Sequence, residues 1–273
     1  MLENTYLIGK NPKIIIMAGV HGNEKANVET LHRIMHNQKL KACSTGILFI
    51  IGNPQALEKS VRFIETDMNR EFGTFSTSLE GKRAQEIASY FDSCDVLIDL
   101  HLTQTPCLEP FTVSPFHKES IDFFSKMQIP IVNCVRTHLP SEKTVSSDEY
   151  FLLKNPHGVA LTFELGSIFD DKETIIGLGT TIINETISVY ENKNKKTEQR
   201  NIIFWKEVAS IQNEPMARLV AGISNFMDIK KGDVLGYNGE NPLYCELSGK
   251  ALFPKYAKTT DKSILRILIR EDF

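Results

Sequence analysis

The stretch KIIIMAGVHGNEKANVETLHRIMH, residues 13–36, decides how the chain is read. A β-branched apolar run over 13–19 ends at a glycine. Apolar residues at helical spacing follow through about His36. A strand that turns tightly into a helix is the simplest account of that change of period. The unit repeats along the chain. Strand-like runs occur at GILFIIGN (46–53), DVLIDLH (95–101), PIVNCV (130–135) and GVALTFELG (158–166). Helical patterns occupy 78–91, 117–127 and 172–190. Strands apolar on both faces, alternating with helices, specify an α/β domain whose sheet is covered on both sides.

The segment ENKNKKTEQR (191–200) has no apolar periodicity and reads as a linker. Beyond it, short strand-like runs alternate with Gly, Asn and Pro turns, so 201–273 reads as a smaller all-β domain. Residues 1–190 then form the larger α/β domain. The 273 residues carry 41% hydrophobic and 24% charged residues and a formal net charge of -3. That composition is globular and gives no nucleic-acid footprint or polybasic membrane patch. Five cysteines without a C-x-x-C pair suit reduced thiols. Together with the lack of a signal-peptide pattern or a membrane-length apolar run, they lead us to expect a cytoplasmic protein.

In open α/β sheets ligands gather at the carboxyl ends of strands. His21, Asn53, His101 and Glu164 each lie at the end of an apolar run. His21 and Glu24 sit three apart between glycines, a spacing that suits two ligands of one zinc ion and equally a capped turn. His101 follows VLIDL, with Asp99 two residues before it. The pair shares a face only if the strand stays extended there. Asn69-Arg70 offers an amide and a planar guanidinium suited to a carboxylate, with Arg62 nearby. Glu164, among apolar neighbours, is costly without a partner or a role, so it is either an inward salt-bridged acid or a general base.

The ordered set GVHGNE, DMNREF, DLH and FELG resembles the succinylglutamate desuccinylase/aspartoacylase family, whose catalytic domain is similar to zinc carboxypeptidases. The resemblance spans about residues 13–190 and implies a mixed sheet flanked by helices, with a β-rich C-terminal domain. It implies one Zn2+ per subunit on His21, Glu24 and His101, with Glu164 as the catalytic carboxylate. Arg62 would steady the oxyanion, and Asn69 and Arg70 would hold the amino-acid carboxylate. Tyr256, in FPKYAKT, is the candidate for an aromatic hydroxyl contributed by the C-terminal domain. The substrate implied is a small N-acyl amino acid, and a homo-oligomer stays open. Aspartoacylases carry a further arginine upstream of the catalytic glutamate. Here that stretch has Lys154 and His157 instead, which argues against N-acetylaspartate and leaves His157 as a candidate pocket residue. Two other readings stand beside the deacylase: a metallocarboxypeptidase acting on short peptides, and a metal- and ligand-binding homologue without turnover.

Overall fold

A computed structural model describes residues 4–36, 43–137, 146–193, 198–256 and 262–271. Four strands make the parallel centre of the sheet: β2 (Pro12–Ala18), β3 (Gly46–Ile51), β4 (Val96–Thr103) and β7 (Val159–Ser167). Their near-continuous apolar sequences follow from burial on both faces. Ile14, Ile16 and Ala18 of β2 pack on one side, with α1 (Lys25–Met35), α4 (Lys118–Lys126) and α6 (Lys172–Glu191). Ile15 and Met17 pack on the other, with α3 (Leu79–Ala88) and α5 (Ser147–Lys154). Successive residues of a strand point to opposite faces, so one run of sequence feeds two cores.

The sheet extends beyond this centre in both directions. β1 (Thr5–Ile8) lies antiparallel to β3. On the other side β5 (Phe111–Pro115) pairs antiparallel with β7 and parallel with β6 (Asn133–Thr137). The sheet is therefore mixed. β6 in turn pairs in parallel with β8 (Ile203–Gln212), which leads antiparallel into β14 (Ser263–Glu271), β13 (Gly249–Leu252) and β10 (Asp228–Ile229). The C-terminal region is β-rich, but most of its strands continue one sheet, eleven-stranded among the described residues. A second sheet of three strands joins β9 (Ala217–Leu219), β11 (Val234–Asn238) and β12 (Asn241–Tyr244).

Part of the segment read as a linker lies outside the described residues. Its end is tied down: the Arg200 guanidinium donates to the carbonyls of Ile129 (3.0 Å) and Ile131, and its backbone N–H to Ser125 O at 2.9 Å. No helix among the described residues is long and apolar enough to cross a membrane.

Candidate active site

Directly after β2 comes Gly19, where φ is +71° and a Cβ would meet the Val28 side chain at 2.7 Å. Gly22 is tighter still, since a Cβ there would fall 2.0 Å from the backbone of Ala56. Only glycines let this loop fold against α2 (Pro54–Lys59) and bring its side chains inward. Glu24 occupies the N-cap position of α1 without capping it, because its carboxylate is used elsewhere. Oε1 lies 2.7 Å from His21 Nδ1, and Oε2 lies 3.3 Å from His101 Nδ1 while accepting the Leu102 N–H at 3.0 Å. One donor atom from each of His21, Glu24 and His101 falls within 4.8 Å of the others, and all three residues are buried.

Both imidazoles turn their second nitrogen to a carboxylate. His21 Nε2 lies 3.1 Å from Asp67 Oδ1, and His101 Nε2 lies 3.1 Å from Asp99 Oδ2. β4 stays extended through Asp99 and His101, which settles the pairing that the sequence leaves open. Histidines that ligate a metal through one nitrogen regularly orient the other on a carboxylate. This donor set, His2Glu with an outer carboxylate for each histidine, fits a catalytic zinc site. Burial pushes the Glu24 carboxyl up, but the two imidazoles outweigh it and hold the group well below the usual carboxylate range.

Glu164 comes from β7, where it is the register partner of His101. Its Oε2 is buried without a hydrogen bond. Burial pushes its carboxyl up to about 7, with the Glu24 charge adding to the rise and His101, His21 and Arg62 opposing it. A buried carboxylate with an unbonded oxygen beside the cluster is placed for general acid–base work.

Arg62, Asn69 and Arg70 enter on the loop between α2 and α3. Glu80, buried in the first turn of α3, accepts the backbone N–H groups of Ile64, Glu65 and Thr66 and so pins that loop. Asn53, also at a strand end, caps α2 and donates to Glu80, so its role is to hold this scaffold. Asp67 receives Arg62 Nη2 at 3.1 Å besides His21, which ties the guanidinium to a ligand residue. The Asn69 side-chain carbonyl accepts the Ser147 backbone N–H at 3.1 Å, and Arg70 donates to Asn69 O at 2.9 Å.

A cleft of about 550 Å³ brings together His21, Glu24, Arg62, Asn69, Arg70, His101, Glu164 and Tyr256. Tyr256 lines it with its hydroxyl donated to Ile223 O at 2.9 Å. His157 corrects the sequence expectation. It sits before β7, at the far end of that strand from Glu164, with its side chain 96% exposed, and it does not line the cleft. Lys154 likewise faces Asp92, 3.6 Å away. The face that α5 turns to the cleft carries Ser146, Asp148 and Glu149 instead.

Lys255 and Arg266 complete a cationic rim that sequence reasoning missed. Burial and the charges of Arg62, Arg266 and Arg70 push Lys255 down to about 8. Both are lone basic residues in a β-rich region, with no motif to mark them. Asp67 stands inside DMNREF itself and was findable there.

The family model of the succinylglutamate desuccinylase/aspartoacylase catalytic domain matches residues 10–188. A succinylglutamate desuccinylase of Idiomarina loihiensis is 26% identical over 266 residues, 88% of this chain and 78% of that one. An aspartoacylase of Xenopus tropicalis is 36% identical over 106 residues, 33% of this chain and 34% of that one. Among solved structures, the succinylglutamate desuccinylase of Vibrio parahaemolyticus superposes with a TM-score of 0.74 at 20% identity, covering 96% of this chain and 83% of that one. Murine aminoacylase 3 gives a TM-score of 0.75 at 13% identity, covering 96% of each chain. At such identities these structures establish the fold alone.

Proposed function

The chain belongs to the succinylglutamate desuccinylase/aspartoacylase family, and we propose that it is a zinc-dependent deacylase that hydrolyses the amide bond of a small N-acyl amino acid. The observation that carries this reading is the buried His21–Glu24–His101 cluster beside Glu164, a buried carboxylate whose Oε2 has no hydrogen bond. The relatives named as a desuccinylase and an aspartoacylase point to an acylated amino acid as the substrate class.

Zinc bound by His21, Glu24 and His101 would supply Lewis acidity toward water and the scissile carbonyl. Glu164 takes the proton of the attacking water and later delivers it to the departing amine. Water thus adds across the C–N bond, giving a carboxylate and a free amino acid. Arg62, braced by Asp67, faces the charge that develops on the carbonyl oxygen. Asn69 and Arg70 hold the amino-acid carboxylate, so the carbonyl arrives oriented. With its side-chain oxygen engaged by Ser147, Asn69 keeps its NH2 donors for that carboxylate. The test is a screen of acetyl, formyl and succinyl amino acids with the zinc-loaded protein, alongside metal analysis. Stoichiometric zinc with hydrolysis that disappears in Glu164→Ala supports the assignment. Zinc binding with no turnover on any substrate would reduce the protein to a binding homologue.

A further inference from the structure

Ser147 is fully buried at the start of α5, far in sequence from every motif residue. Its hydroxyl donates to Asp99 Oδ2 at 2.6 Å, the same oxygen that faces His101 Nε2. Asp99 is itself fully buried, and its other oxygen makes no hydrogen bond. A carboxylate so enclosed depends on the donors it has, since each missing hydrogen bond leaves charge unsolvated. Among the described residues, the Ser147 hydroxyl donates the hydrogen bond to this carboxylate, while His101 Nε2 stands 3.1 Å from the same oxygen without hydrogen-bond geometry.

Neighbouring packing makes Ser147 a rigid donor. Phe151, one turn further along α5, is buried against Phe91 with ring centroids 5.3 Å apart, which fixes the helix over β4. The Ser147 backbone N–H is simultaneously spent on Asn69. One residue therefore touches both the carboxylate behind a ligand histidine and the amide proposed to grip substrate.

We propose that Ser147 is a positioning residue for His101. By donating to Asp99 it fixes that carboxylate oxygen beside the imidazole Nε2, which leaves Nδ1 as the nitrogen free to ligate. This proposal rests on the zinc reading above, and the tests separate the two. A helix tolerates alanine at this position, and Ser147→Ala retains the N–H that holds Asn69.

Zinc affinity is measured by competition with a chromophoric chelator, independently of turnover, for the wild type, Ser147→Ala, Asp99→Ala and the double variant. Removing an outer-shell partner typically weakens metal binding by about 10- to 100-fold. Ser147→Ala should fall at the low end, about tenfold, with KM unchanged in the zinc-saturated enzyme. In the Asp99→Ala background the same change should have almost no further effect, because the acceptor of the Ser147 hydroxyl is gone. Wild-type affinity in Ser147→Ala would overturn the proposal, as would losses that multiply independently in the double variant. A wild type that binds no zinc would instead sink the proposed function itself.

Discussion

Glu164 and His101 occupy the same register position on two neighbouring parallel strands, β7 and β4. Side chains at paired positions share a face of the sheet. A proposed base and a proposed ligand are therefore held side by side by main-chain hydrogen bonds and owe nothing to a mobile loop.

His101→Ala should abolish stoichiometric zinc binding, lowering affinity by at least about 100-fold, since two ligands remain of three. Metal analysis after dialysis checks this. A retained equivalent of zinc would show that the cluster is not the site.

Glu164→Gln should keep its zinc and lose turnover by about three orders of magnitude. It also makes a prediction about stability. In metal-free protein the Glu164 carboxyl is raised to about 7 from an ordinary 4.5, so the folded state binds the proton more tightly than the unfolded chain. That group costs nothing below about pH 4.5, and its cost grows with pH to a plateau above about 7. Replacing it with glutamine should stabilise the metal-free protein by roughly 3 kcal/mol at pH 8 and leave it nearly unchanged at pH 4. Thermal melts at the two values decide the sign.

Gly22→Ala should be severely disruptive, because the added methyl would lie 2.0 Å from the Ala56 backbone. We expect a loss of about 3 kcal/mol or more, accompanied by weakened zinc binding as His21 and Glu24 are displaced together. Chemical denaturation and chelator competition on the same sample measure both effects.

Lys154→Ala and His157→Ala should leave kcat/KM within about twofold of wild type, in keeping with the small effects of exposed substitutions away from a site. Steady-state assays suffice, and a tenfold loss in either would place the substrate beyond the cleft described.

Ser147→Pro should raise KM beyond any change in Ser147→Ala. Proline is accepted at the first position of a helix. Ser146, at φ -80° and ψ 160°, already has the extended backbone that precedes proline. The substitution removes the N–H that holds Asn69, so an unaltered KM would mean that this bond does not orient the amide.

The central strands were legible because burial on both faces writes them as unbroken apolar runs, as in KIIIMA and VLIDL. The C-terminal strands were legible from their turns. α5 was not, since Tyr150-Phe151-Leu152-Leu153 places apolar residues in succession rather than along one stripe. β5 was missed for another reason: FTVSP is short, and its antiparallel insertion between β7 and β6 is a choice of partners that periodicity does not encode. The motif histidines and Glu164 announced themselves by standing at strand ends. Ser147 carries no such mark, because its relation to Asp99 spans 48 positions of the chain and exists only after folding. His157 attracted notice by residue type alone, and solvent proved to be its main neighbour.

The pairing of β6 with β8 bears on how this molecule can be handled. Residues 133–136 meet 203–206 through main-chain hydrogen bonds, and Trp205 Nε1 donates to Asn133 Oδ1 at 2.9 Å. Cutting the chain within 191–200 would strip β6 of that neighbour and leave an apolar strand with its backbone groups unpaired. Such a raw border recruits other chains. A truncated fragment ending near residue 190 is therefore expected to aggregate on expression, however complete its set of motif residues.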